Sequence, residues 1–346
     1  MRSFLIIVTT LFLFFLVASK SEILVGRIAH YKYTSNSLLG SDKYTYGDLY
    51  GMSYFPLIKE PVGFDPVEIP EEKFVTEKRI NLCIVHDSYL SSSYLKSKAQ
   101  LAGVDTIYDI EYPWWRNSPV KPIELKKDKT NVLLFEIVER NLNALDSLTA
   151  MNLVKSTVNL HAVQEPKKTA IVKNILNVIF NKNTEVNLEF IIFDSRIFTA
   201  FKEFKARLRY YLFKKVNSDV IVSQKGNYLF YSSTKSSITD SVTKDYLNSK
   251  VNLLNNIYTH YKTMGFQEVY FSIIPNPISV IQPDCQNYNN LIPNLQNNEL
   301  LKMKMIDIYT KSKNTPCKIF YRSDTHWNMN GFNLWLNELN RSLTKP

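Results

Sequence analysis

The feature that most narrows the fold is a set of short apolar runs that do not alternate. Lys78 to Val85, Asn131 to Val138 and Glu268 to Ile274 each hold consecutive aliphatic and aromatic residues. A strand wetted on one face alternates apolar with polar; a strand covered on both faces does not. Such runs, spaced by helical patterns, predict parallel strands in an α/β sheet. Val104 to Tyr108 and Lys318 to Tyr321 supply two shorter runs. The expected architecture is therefore a three-layer α/β/α domain around a five-stranded, mainly parallel sheet.

Between the runs, helical spacing is the main signal. Ser91 to Ala102 reads as a helix ended by Gly103. Ala170 to Phe180 carries apolar residues at 171, 172, 175, 176 and 179, one stripe of a helix. Asn187 to Phe193 reads as a strand, and Phe198 to Phe213 as a basic helix. Val220 to Val222 and Tyr228 to Tyr231 flank a turn with Gly226, the pattern of a hairpin. Leu247, Val251, Leu254, Tyr258 and Tyr261 mark a long amphipathic helix closed by Gly265. Leu300 to Tyr309 and Gly331 to Leu343 are expected to be helical. The sheet pattern is interrupted from about 145 to 218, which reads as an insertion. Residues 22–78, punctuated by Pro56, Pro61, Pro66 and Pro70, read as an irregular lead-in that wraps the domain.

Arg2 precedes fifteen uncharged residues, Phe4 to Ala18, followed by small residues around Ser19 and Ser21. That is the pattern of an export signal or a short membrane anchor, so residues 1–21 are set apart and the protein is expected to be exported to the periplasm. Membrane association would then run through the N-terminus. The chain has 346 residues and a net charge of +10, spread along its length rather than clustered. No nucleic-acid motif or arginine-rich tail is present, so no nucleic-acid partner is expected. The densest basic stretch, Lys202 to Lys215, is interleaved with Phe, Leu and Tyr and suits either an anionic membrane surface or a solvated helix face. Of three cysteines, Cys83 lies inside an apolar run, while Cys285 and Cys317 are free to pair in an oxidising compartment. No cluster with metal-ligand spacing is present, and no cofactor is implied.

Polar residues gather just after the apolar runs. Asp87-Ser88 follows the first, Arg140 and Asn141 the third, Asn276 the fourth, Asp324 and His326 the last. In open parallel sheets, sites form at the carboxyl ends of strands. Asp324 and His326 are two apart, so an extended backbone puts both on one face. A carboxylate there fixes the tautomer of the imidazole and stabilises its protonated form. Ser88 is the candidate nucleophile, delivered to the sheet edge by a buried strand. Together the three residue types suit acyl transfer through a covalent intermediate.

These residues resemble the SGNH/GDSL hydrolases, and among them the alginate O-acetyltransferase-like group. Asp87-Ser88 resembles the nucleophile block, and Val138-Glu139-Arg140-Asn141-Leu142 a "VER-x-L" segment. Ser323-Asp324-Thr325-His326-Trp327-Asn328 resembles the "DTHW" signature, the most specific of the matches. Gly226-Asn227-Tyr228-Leu229-Phe230 resembles a "dGWLF" hairpin, and Ile274-Pro275-Asn276-Pro277 with Tyr288 a "PxPxK…Y" strand and loop. The serine block precedes the Asp-x-His block, as in ordinary SGNH hydrolases and opposite to the alginate group, so the order is permuted. His86 stands where that family usually has Gly, Glu139-Arg140-Asn141 replaces a Gly-x-Asn-Asp block, and the usual Lys after the fourth strand is absent.

The resemblance implies an SGNH-like domain over 79–346. It implies Ser88 as nucleophile, His326 as base and then acid, and Asp324 as its orienting carboxylate. The Ser88 N–H with Arg140 or Asn141 would stabilise the oxyanion. Tyr89, Trp114, Trp115, Asn276, Tyr288 and Trp327 would line a sugar cleft. The partner would be a polysaccharide acceptor or acetylated glycan, served by a membrane acetyl-donor protein. Two readings follow: an O-acetyltransferase or acetylesterase, or a non-catalytic envelope protein that keeps the fold to bind a glycan or partner. The distance from Ser88 Oγ to His326 Nε2 discriminates between them.

Overall fold

The computed structural model describes residues 1–90, 100–112, 121–156 and 182–345. The chain divides into two compact units. One comprises Gly63–Leu160 and Val222–Pro346; the other comprises Met1–Val62 and His161–Ile221.

The strands, in chain order, are β1 (Ile80–His86), β2 (Val104–Glu111), β3 (Lys121–Ile123), β4 (Thr130–Val138), β5 (Val154–Ser156), β6 (Val220–Val222), β7 (Leu229–Tyr231), β8 (Glu268–Ile274) and β9 (Lys304–Ile306). Five of them form the central sheet, in the order β2-β1-β4-β8-β9. Every pairing in it is parallel. The expected α/β architecture is thus present. All seven residues of β1 are buried, which is why the run does not alternate.

Helices cover both faces of the sheet. Phe135 and Phe271 are ladder partners with ring centroids 6.5 Å apart, and Phe135 meets Tyr261 of the Lys244–Met264 helix at 5.8 Å. Side chains alternate along a strand, so Ser272, next after Phe271, points to the opposite face. There its Oγ accepts a hydrogen bond from Trp335 Nε1 of the Met329–Thr344 helix at 3.1 Å.

That last helix is tied down by a ladder of buried asparagines. Asn330 Oδ1 accepts from Glu68 N and Ile69 N, at 2.7 and 3.0 Å. Its Nδ2 donates to Pro66 O and Lys318 O, at 3.0 and 3.1 Å. Asn333 Nδ2 donates to Ile69 O at 2.7 Å and Asn337 Nδ2 to Pro70 O at 3.0 Å. Asn337 Oδ1 accepts from Glu72 N at 2.9 Å. Asn340 bonds Ala102 N and Gln100 O, both at 2.9 Å. An extended segment without strand partners has orphan backbone groups that must be satisfied somewhere. Helical spacing of three or four residues lines up the asparagine amides to do it.

Four sequence expectations are corrected. Residues 22–78, expected to be irregular, carry the helices Glu22–Thr34, whose first turn Ser21 Oγ caps by accepting from Leu24 N, and Asp48–Ser53. The fifth strand is β9, Lys304–Ile306, inside the stretch expected to be helical from Leu300 to Tyr309. Lys318 to Tyr321 is instead one arm of a loop closed by a single antiparallel bridge, Phe320 to Trp327. Asn187 to Phe193 belongs to a helix, Thr184–Phe193. Its continuous apolar run cannot be told from a strand by periodicity. The helix forms because its partner is another helix: Asn187 Nδ2 donates to Ser19 O at 2.9 Å, and Lys32 Nζ donates to Phe190 O at 2.8 Å. The expected helices over 91–102 and 170–180 fall mostly or wholly outside the described residues. Cys285 and Cys317 are free thiols.

The unit carrying the N-terminus is helical, with Arg2–Lys20, Glu22–Thr34, Thr184–Phe193 and Arg196–Phe213 as its longer helices. Arg2–Lys20 has a mean hydropathy of 2.1 over its best window and is long enough to cross a membrane. Its length, composition and place are compatible with an export signal or a membrane anchor.

Candidate active site

β1 and β4 are neighbours in register, from Ile80 opposite Thr130 to Val85 opposite Phe135. Their carboxyl ends therefore emerge side by side. β1 runs out at His86, and a 3₁₀ turn, Ser88–Leu90, begins two residues later. β4 runs out at Val138 into the 3₁₀ turn Glu139–Asn143. The Asp87 carboxylate joins the two ends. Its Oδ1 accepts from Tyr89 N at 3.0 Å; its Oδ2 accepts from Val138 N at 2.8 Å and Asn141 Nδ2 at 3.1 Å. Asp87 is buried while Ser88, held at the apex, is exposed.

The Asp324–His326 pair comes from the loop closed by the Phe320–Trp327 bridge. Tyr321 N donates to His326 O at 3.3 Å and Asn328 N to Ile319 O at 2.9 Å. Asn328 then caps the following helix, its Oδ1 accepting from Asn330 N and Gly331 N at 3.0 and 3.1 Å. Gly331 permits the loop to close on the helix. A Cβ there would lie 2.5 Å from Ile319 O and 2.6 Å from Trp327 Cβ. At the tip, Asp324 Oδ1 accepts from His326 N at 2.8 Å and from His326 Nδ1 at 2.7 Å. Because a carboxylate only accepts, Nδ1 carries the proton, and Nε2 is left as an acceptor. Ser88 Oγ lies 3.0 Å from Nε2. The hydroxyl, the imidazole and the carboxylate thus form one continuous relay.

Tyr89 and Trp327 buttress the relay. The Tyr89 ring lies 4.9 Å from the His326 ring and 5.5 Å from that of Trp327. Tyr89 OH donates to Thr325 O, and Trp327 Nε1 donates to Tyr89 O at 3.1 Å. Both are fully buried, at 0% and 1% exposure. The structure therefore seats them beneath the site, not on the wall of a cleft. The same holds for two other expected cleft residues. Asn276 N donates to Glu139 Oε2 at 2.9 Å, and Tyr288 stacks on Tyr309 with centroids 5.1 Å apart. Both are buried. Trp114 and Trp115 lie outside the described residues.

The two expected oxyanion donors sit in the turn after β4, next to Ser88. Asn141 Nδ2 is engaged by Asp87, as above. Arg140 is half-buried, with Nη1 3.4 Å from Tyr89 OH and the guanidinium carbon 5.5 Å from the Tyr89 ring centroid. Its cation thus faces the aromatic ring that packs on His326.

Of three ionisable groups around the site, Glu136 went unread in the sequence, while Glu139 and His86 stood there only as departures from the family pattern. Glu136, inside the apolar run of β4, is fully buried; its Oε2 accepts from Asp87 N at 3.3 Å. Burial first, and the neighbouring Asp87 carboxylate second, hold its pKa well above the ordinary range. Glu139 is a buried hub. It accepts from Asn276 N and Ser279 Oγ at 2.9 and 2.6 Å, and from Ser237 Oγ at 3.1 Å. Burial raises its pKa, and these donors oppose the rise. An acidic residue inside or at the end of a non-alternating apolar run is the signal that marks both. His86 is buried too, with Nδ1 2.6 Å from Asp87 O and Nε2 2.6 Å from Asp109 Oδ1. Both partners are acceptors, so the two contacts favour the doubly protonated ring. Burial pushes its pKa down, but the Asp109 carboxylate and the Asp87 carbonyl outweigh it, and the net shift is upward. His86 braces β1 against β2.

No protein-family model, curated protein or solved structure matches the chain.

Proposed function

We propose that this protein is an exported, SGNH/GDSL-like serine acyltransferase or esterase that acts on acetyl groups of an envelope or secreted polysaccharide. One observation carries the reading: Ser88 Oγ is 3.0 Å from His326 Nε2, whose other nitrogen is 2.7 Å from Asp324 Oδ1. That is the distance a working nucleophile and base require. Ser88 attacks the acyl carbonyl, and its proton passes to His326 Nε2. Asp324 holds the resulting imidazolium, which then gives the proton to the leaving oxygen. The acetyl group is left as an ester on Ser88. A sugar hydroxyl or water next attacks that ester, His326 takes the proton from it, and Ser88 recovers its own. Transferase and esterase differ only in which acceptor arrives.

The apolar Arg2–Lys20 helix supports an exported or membrane-tethered location, and a periplasmic envelope glycan is the acceptor this reading favours. A membrane acetyl-donor protein would supply the acyl group. The rival reading, a non-catalytic binding protein, draws support from Asn141, whose amide is engaged with Asp87. It calls for no relay, and the relay geometry favours catalysis.

The test is turnover of p-nitrophenyl acetate by the full chain beside Ser88→Ala and His326→Ala. Loss in both, with circular dichroism unchanged, is expected. Turnover unaffected by Ser88→Ala would overturn the assignment.

A further inference from the structure

The helix Arg196–Phe213 is built inside out. In a soluble protein the apolar stripe of an amphipathic helix faces the core. Here Ile197, Phe201, Phe204, Leu208 and Leu212, spaced by three or four residues, are all exposed, Phe201 to 69% and Phe204 to 64%. The inward face is the polar one. Thr199 and Ala206 are buried. Glu203 accepts from Tyr50 OH at 2.6 Å and Lys59 Nζ at 3.0 Å, and Lys202 Nζ donates to Tyr54 OH at 3.2 Å. Tyr210 packs on Phe55 with ring centroids 4.8 Å apart. These bonds fix the helix about its own axis, so it cannot roll to hide the stripe.

The charges border the stripe. At about 100° per residue, Lys205 and Arg209 fall along one side of it and Arg207 along the other. Lys214 and Lys215 follow the last turn. The same unit carries the apolar Arg2–Lys20 helix. Lys32, on the next helix Glu22–Thr34, donates to Asp194 O at 2.5 Å just before Arg196–Phe213 begins. On the helix itself, Arg196 N donates to Gly40 O at 2.8 Å. An exposed stripe of this length needs an occupant. Apolar side chains flanked by cations match one surface better than a protein groove: the boundary between acyl chains and anionic headgroups.

We propose that Arg196–Phe213 lies in the plane of an anionic bilayer, its stripe at the acyl-chain boundary and Lys205, Arg207 and Arg209 among the phosphates. This lipid contact is separate from any insertion of Arg2–Lys20, and it holds whatever the chemistry at Ser88.

The experiment places a fluorophore on the stripe of the full chain. The parent and Phe204→Trp are reconstituted into phosphatidylglycerol vesicles and, separately, phosphatidylcholine vesicles, each with and without bromine-labelled acyl chains of the same headgroup. The expected result is blue-shifted extra emission from Phe204→Trp, most of it lost to bromolipid in the anionic vesicles and much less in the neutral ones. Extra emission that bromolipid leaves untouched would overturn the proposal; if it is blue-shifted as well, a protein surface such as a second copy covers the stripe. Equal quenching in both lipids would overturn the anionic preference. Phe204 is exposed, and Phe204→Trp keeps an aromatic ring, so folding does not confound the readout.

Discussion

His326 Nε2 stands 3.0 Å from Ser88 Oγ although 238 positions separate them in the chain. Only Ser88 stands at a strand end, just after β1, whereas His326 sits on a loop pinned to the Met329–Thr344 helix. What holds the distance is the scaffold, Asp87 on one side and the Asn328 cap on the other.

Asp324→Asn should leave that scaffold intact and spoil the chemistry. The amide can donate to His326 Nδ1 and so favours the wrong tautomer, with Nε2 protonated and unable to take the Ser88 proton. Acyl transfer should fall by about 10⁴-fold while thermal unfolding stays near that of the parent. Comparable turnover in the variant would remove Asp324 from the relay.

Asn330→Ala tests the asparagine ladder. The substitution strips four hydrogen bonds and takes the Asn330 amide from the Glu68, Ile69 and Pro66 backbone groups, while Lys318 O keeps its bond from Asn328 Nδ2. Unfolding in urea should show a loss of about 2–4 kcal/mol, with turnover lowered because the same helix carries the His326 loop. A loss within the error of the extrapolation would mean that water replaces the amide at no cost.

Glu136→Gln should be tolerated or stabilising at neutral pH. Burial and then the Asp87 carboxylate favour its protonated form, so an amide of the same shape is expected to change little. The sign with pH follows. In the unfolded chain Glu136 ionises near its ordinary 4.5, so above that pH the native state is progressively penalised for keeping the proton. The advantage of Glu136→Gln should therefore grow as pH rises from 4.5. A variant much less stable than the parent at neutral pH would show that the carboxylate form is the one the fold needs.

His86 gives the opposite experiment. Its native pKa is raised above the ordinary 6.5, so its pairing with Asp109 contributes in full below 6.5 and is lost as pH rises through the native value. The gap in melting temperature between the parent and His86→Gln should be largest at mildly acid pH and shrink in alkali. A gap independent of pH would mean that His86 is neutral in the native state.

The sheet was legible because strands buried on both faces cannot hide their composition, and β1, β4 and β8 are of that kind. β9 was not, since three residues, Lys304–Ile306, carry too little pattern. Lys318 to Tyr321 mimicked a strand because a buried loop arm needs the same apolar residues. The Ser88, His326 and Asp324 set was legible as residue types; Ser88 follows β1, but Asp324 and His326 follow a buried loop arm rather than a strand. The support of the set was not: Asp87, Glu136 and Glu139 act through partners far along the chain, and Tyr89, Trp327, Asn276 and Tyr288 read equally well as cleft or core. Burial decides that choice, and burial is a property of the fold rather than of the local sequence.

The measurement that bears most directly on the central claim is covalent capture. The full chain is treated with a fluorophosphonate, digested, and its peptides weighed, beside His326→Ala. One adduct is expected, on Ser88, nearly absent from His326→Ala. An unlabelled Ser88 in a folded, reagent-exposed protein, or equal labelling in both chains, would contradict it.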